Sequence, residues 1–217
     1  MKKTIGLIII FALILGLAVT GCQPKSEDKP PNILIAYFSW ANNTVVDTPD
    51  PGDQEAIDAL ASASVLPPGN TGLLAQWIQE KTGGSLFTIK TADPYPSDFE
   101  QCAAQVAEEL DASARPALAE SVAKIADYDV VFIGFSVWAD TPPMAVFSFI
   151  EQHDLAGKTI VFFSAFGGGC MDASVKALTA ALPDSTIVES TFGASREAFP
   201  NAQSDIAVWL DSLEILK

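Results

Sequence analysis

Ile33 to Phe38 is a continuous apolar run, the pattern of a strand covered on both faces rather than one. Similar runs recur at Leu86–Ile89, Val130–Phe135 and Thr159–Phe163, with a shorter one at Thr186–Glu189. Between them the period changes from two to about 3.6 residues. Leu73, Leu74, Trp77 and Ile78 fall on one helical face, which Gly83-Gly84 closes. Phe99, Cys102, Ala103, Val106 and Leu110 make the stripe of a second helix. Pro116 is placed to open a further helical stretch carrying Leu118, Val122 and Ile125. Helices are also expected over Met144–Ile150, over Val175, Leu178 and Leu182 up to Pro183, and at Ile206, Trp209, Leu210 and Leu213. Strands alternating with helices predict an α/β fold, a doubly wound five-stranded parallel sheet with helices on both sides.

Trp40 to Pro68 breaks this rhythm, with Pro49, Pro51, Gly52, Pro67 and Pro68 and an Ala-rich patch. A βα loop usually takes ~2–6 residues. The segment reads as an insertion after the first strand, holding one short helix over Gln54–Ser62.

The N-terminus adds a separate message. Lys2 and Lys3 precede an uncharged apolar run from Ile5 to Val19, then Thr20-Gly21-Cys22. A basic start, an apolar stretch and small residues describe a secretory signal over residues 1–21. The run falls short of the ~20 residues that span a bilayer. The Cys directly after the small residues resembles the bacterial lipobox, which implies lipidation of Cys22. Residues 22–31 are then a polar, Pro-containing tether, and 32–217 a single domain. The implied location is extracytoplasmic, with the chain lipid-anchored to a bacterial or archaeal-type cell membrane and touching it through that anchor only.

Charge narrows the partners. Cleavage removes two of the 12 Lys and Arg residues and none of the 27 Asp and Glu, taking the formal charge from −15 to −17. Such a surface excludes nucleic acid as a partner, since phosphate contacts need clustered Lys and Arg. The sole histidine, His153, cannot build a zinc site with Cys102 and Cys170, and no metal site is expected. Cys102 and Cys170 read as two separate thiols. No Ser-His-Asp set, GxGxxG or Walker A motif occurs.

In an open α/β sheet, ligands bind beyond the C-terminal ends of the strands. Ser39 follows the first strand, and Gly69-Asn70-Thr71 opens the helix after the insertion. Ser136-Val137-Trp138-Ala139 follows the third strand, and Ser164-Ala165-Phe166-Gly167-Gly168 follows the fourth. Together with Ile35-Ala36-Tyr37-Phe38-Ser39, these segments resemble the short bacterial flavodoxins over nearly all of residues 32 to 215. The resemblance implies a strand order of 2-1-3-4-5 and FMN as cofactor. Gly69, Asn70 and Thr71, with Ser39, would hold its phosphate. Ser136, Val137, Trp138 and Ala139 would lie along the flavin, and Ser164, Phe166, Gly167 and Gly168 would border its other edge.

Asn43-Thr44 also follows Ser39, but it leads into Val-Val-Asp-Thr-Pro, which cannot start a helix of any length. Asn70-Thr71 starts one, and a helix N-terminus is where phosphate is favoured. Neither loop carries Lys or Arg, so the phosphate would rest on hydroxyls, amides and the helix end. Trp138 is the expected stacking residue. Two departures from the family pattern stand out. Many relatives have two consecutive Trp where this chain has Trp138-Ala139, and Thr-His where it has Ala165-Phe166.

The implied function is FMN-dependent electron transfer or oxidoreduction with an unknown redox partner protein or quinone. An acidic protein disfavours an anionic reduced flavin, so a low potential is expected. Two alternatives are an NAD(P)H-dependent quinone or flavin reductase, and a binding lipoprotein whose flavin site has decayed.

Overall fold

The computed structural model describes residues 30–46, 51–55, 64–168 and 171–216. The leader, Cys22, most of the tether and Cys170 lie outside the described residues. Of the helix expected over Gln54–Ser62, only Gln54 and Glu55 are described, and both are helical.

The sheet contains β1 (Ile33–Tyr37), β2 (Ser85–Thr88), β3 (Val130–Ser136), β4 (Thr159–Phe166), β5 (Thr186–Ile187) and β6 (Phe192–Ser195). Its order is β2-β1-β3-β4-β5, and every pairing is parallel. The fifth position is shared by two short segments, because β6 also pairs with β4. Six strands therefore occupy the five expected places. The helices are α1 (Gly69–Thr82), α2 (Phe99–Asp111), α3 (Met144–Gln152), α4 (Met171–Ala180) and α5 (Ala202–Ser212).

Alternation along the strands divides their apolar runs between two cores. Ile33, Ile35, Phe132, Val161 and Phe163 meet Leu74 and Ile78 of α1 and Ile206, Trp209 and Leu210 of α5. Leu34, Ala36, Val131, Ile133 and Phe162 meet α2, α3 and α4 through Val106, Phe149 and Leu178. This explains why the strands read as continuous hydrophobics. Gly83 ends α1 in a left-handed conformation (φ 72°), donating its N–H to the Gln79 carbonyl at 2.8 Å.

The helix expected from Pro116 does not form; only a 3-10 turn, Ile125–Asp127, appears there. The amides of this stretch bond sideways instead. Ala119 N–H donates to the Lys90 carbonyl and Val122 N–H to His153 Nε2, while Ala117 accepts from Ala92. His153 Nδ1 donates to the Phe149 carbonyl at 2.8 Å, which leaves Nε2 free to accept. The lone histidine thus buttresses a loop.

Among the described residues no helix is long and apolar enough to cross a membrane.

Candidate functional site

The strand ends set the geometry. Tyr37 of β1 pairs with Gly134 of β3, Ser136 pairs with Ala165 of β4, and Phe166 pairs with Ser195 of β6. The loops that follow therefore leave one edge of the sheet together. Between them lies a cavity of about 690 Å³, within the ~300–1,000 Å³ range of ligand and cofactor pockets.

One end of the cavity is the start of α1. Gly69 has φ +68°, and a Cβ there would stand 2.5 Å from Ser39 Oγ and 3.0 Å from Ala41 Cβ. Only glycine allows this approach, which seats the insertion's return directly on the end of β1. Ser39 is buried beneath it and donates its hydroxyl to the Pro68 carbonyl at 3.1 Å. Asn70 N–H donates to Ser64 Oγ at 2.8 Å, so a hydroxyl from the insertion caps the helix. Thr71 Oγ1 lies 3.1 Å from Ser136 Oγ, joining the first turn of α1 to the end of β3.

The other Asn-Thr pair has a different task. Asn43 Nδ2 donates to the carbonyls of Ser39 and Ile89, and its Oδ1 accepts from the N–H and hydroxyl of Thr91. Thr44 Oγ1 donates to the Tyr95 carbonyl at 2.8 Å. Every polar group of Asn43 is used to bind the exit of β1 to the exit of β2, and neither residue lines the cavity.

After β3 the chain reverses through Ala139 and Asp140, both with positive φ (49° and 59°). Trp138 and Thr141 close the turn with reciprocal backbone hydrogen bonds of 2.8 and 3.0 Å. Left-handed non-glycine residues cost ~1 kcal/mol or more each and cluster at functional sites. The turn holds Trp138 at the cavity wall, where its ring meets Phe38, Trp40 and Tyr95 edge-to-face at 5.2, 6.0 and 5.1 Å. One side chain is at once a wall of the cavity and the hub of an aromatic cluster.

Nine of the twelve cofactor positions expected from sequence line this cavity: Asn70, Thr71, Ser136 to Ala139, and Phe166 to Gly168. Ser39 and Gly69 form its foundation rather than its surface. Ser164 is fully buried and donates to the Phe135 carbonyl at 2.8 Å, tying β4 to β3.

Sequence reasoning missed one wall and one charge. α2 presents Cys102, Val106 and Leu110 to the cavity, with Phe99, 72% exposed, at the same wall. Their helical stripe was legible, but it reads as core alone. Cys102 is a free thiol whose pKa burial, and secondarily Glu109, pushes up to about 12, so it stays protonated. Arg196 enters from the end of β6, a strand not foreseen.

The flavodoxin family model matches residues 59–212. The chain belongs to the flavodoxin family. Among similar solved structures is a candidate flavoprotein from Bacteroides eggerthii, 29% identical, with a TM-score of 0.61 over 83% of this chain and 96% of that one. A candidate flavoprotein from Bacteroides uniformis is 23% identical, with a TM-score of 0.62 over 85% of this chain and all of that one. A flavoprotein from Lactobacillus acidophilus in complex with FMN is 15% identical, with a TM-score of 0.57 over 83% of this chain and 99% of that one. No curated protein matches. The sheet order, with the cavity at the C-terminal strand ends, is the flavodoxin arrangement.

Proposed function

We propose that this flavodoxin-family chain binds FMN non-covalently in the cavity and transfers electrons through it, outside the cell membrane and held there by lipid on Cys22. The carrying observation is the polarity of the cavity. Thr71 and Ser136 hydroxyls meet the amide end of α1 at one extremity, while Trp138, Phe166, Val106 and Leu110 line the remainder with apolar and aromatic groups beside a single cation, Arg196. A phosphate suits the first part and a flat aromatic ring the second.

Bound FMN would supply the redox chemistry. The protein's own part is to hold and shield it. Thr71 and Ser136 would donate to the phosphate, the α1 N-terminus would add the favourable end of its dipole, and Trp138 at the cavity wall would shield the ring. Gly167 and Gly168, also at the cavity wall, would let backbone approach it. Family membership supports this reading, as does the FMN complex reported for the Lactobacillus acidophilus protein of the same fold. Ligand-free protein titrated with FMN, FAD and riboflavin should bind FMN much the tightest. Equal affinities, or none for FMN, would overturn the proposal.

The apolar wall of α2 favours a second reading, in which a planar apolar acceptor such as a quinone enters beside the flavin. Turnover of quinones with NAD(P)H would distinguish a reductase from an electron carrier.

A further inference from the structure

Arg196 is the only charged side chain among the described residues that line the cavity. Its place follows from the register. Phe166 pairs with Ser195, so the next residues on the two strands, Gly167 and Arg196, come side by side. The guanidinium lies over Gly167. A Cβ at that position would stand 3.1 Å from Nη2, 3.6 Å from Cζ and 3.8 Å from Nε. A side chain there would press on the fork and shift it by a few tenths of an ångström. Arg196 takes part in neither ion pair found among the described residues, which join Lys81 to Asp211 and Arg115 to Glu151. Its neighbour Glu197 is engaged mainly elsewhere. A hydrogen bond from its own backbone N–H, then one from the Ser195 hydroxyl, hold that carboxylate below its usual range, with Arg196 a lesser cause.

A cation is therefore kept at the cavity of a chain whose formal charge is −15. It stands on the loop after β4, whereas the hydroxyls suited to a phosphate stand at α1 and the end of β3. We infer that Arg196 is the counter-charge for the reduced flavin ring, favouring the anion over the neutral oxidised ring and so raising the flavin's reduction potential. This rests on the proposed FMN site. The electron balance is simple: two electrons and one proton convert the neutral ring into a species of charge −1. The reduced anion gains more from a guanidinium than the neutral ring does, because the planar fork then meets a charge delocalised over nitrogen and oxygen. The acidic surface pulls the potential down, and Arg196 opposes it locally.

The test uses the full chain loaded with FMN and reduced with dithionite against a dye of known potential. Arg196→Gln should change the affinity for oxidised FMN less than threefold. It should weaken the relative affinity for the reduced anion roughly 10- to 100-fold, lowering the two-electron potential by ~30–60 mV. Arg196→Lys, which keeps the charge, should restore part of that shift. An unchanged potential in Arg196→Gln overturns the inference, and so does an equal loss for both redox states. A loss for oxidised FMN with none for riboflavin overturns it too, because the cation would then serve the phosphate. If wild-type protein binds no FMN, the proposed function fails first and the inference with it. If it binds FMN and the potential is indifferent to Arg196, only the inference fails.

Discussion

Thr71→Val separates phosphate binding from ring binding with little change of shape. Thr71 is 2% exposed, and its hydroxyl has one protein partner, Ser136 Oγ at 3.1 Å. Valine fills the same volume, so no cavity opens. Ser136 is only part-buried and lines the pocket, where it can turn to water. The cost to stability should therefore fall at the low end for a lost hydrogen bond, ~0.5–1 kcal/mol, or about 1–4 °C in Tm. The effect on ligand binding should be larger. A hydrogen bond to a charged group is worth ~1.5–3 kcal/mol, so FMN affinity should drop roughly 10- to 100-fold while riboflavin is nearly unaffected. Thr44→Val is the matched control. Its hydroxyl donates to the Tyr95 carbonyl away from the cavity, so stability should fall by a similar amount and the FMN-to-riboflavin ratio should stay put. Fluorescence titration with both flavins, alongside thermal melts, measures all four numbers. A ratio that moves with Thr44→Val, or that stays within threefold in Thr71→Val, would refute the reasoning.

Trp138→Phe should keep most of the edge contacts with Phe38, Trp40 and Tyr95 yet remove most of the tryptophan quenching that FMN binding should produce in the wild type. Trp138→Ala should in addition raise the potential for forming the reduced anion, because water then solvates it; unchanged quenching and potential would leave Trp138 as a core residue only. Cys22→Ser should abolish incorporation of labelled fatty acid and release the protein from membranes, whereas an unlabelled wild-type chain would speak for ordinary secretion or an uncleaved anchor. Burial raises the pKa of both Cys102, to about 12, and Tyr95, whose hydroxyl donates to Glu109 at 2.9 Å. The folded state thus keeps protons that the unfolded chain releases, so stability should be full below the ordinary thiol value near ~8.5 and fall as pH rises beyond it. Urea midpoints should decline less steeply above pH ~9 in Cys102→Ala, and identical slopes would disprove the linkage.

The doubly wound sheet was legible because β1, β3 and β4 are apolar on both faces, a pattern hard to satisfy in any other way. That Asn70-Thr71 opens a helix and Asn43-Thr44 does not was also legible, since proline forbids a helix after the latter, and the structure places the first pair at the cavity and gives Asn43 a full set of internal partners. The Pro116 stretch misled because its apolar spacing is helical while its amides find lateral acceptors, which no local pattern reveals. β6 escaped notice for a related reason. Phe-Gly-Ala-Ser carries little strand signal and is fixed by pairing with β4. Missing that strand meant missing Arg196, although the rule that function follows strand ends would have pointed to it.

The contact of Gly69 with Ser39 means that residues 40–68 depart from and return to nearly the same point. For a closed excursion of this kind, chain length is thermodynamically cheap: each doubling adds only ~0.6 kcal/mol of closure entropy. The excursion can therefore be lengthened, shortened or rewritten at little cost while its two attachment points stay in register. The protein thus carries a port for new surface chemistry set into a loop whose two ends, at Trp40 and Ser64, border the cavity, and it can be rewritten without rebuilding the sheet beneath.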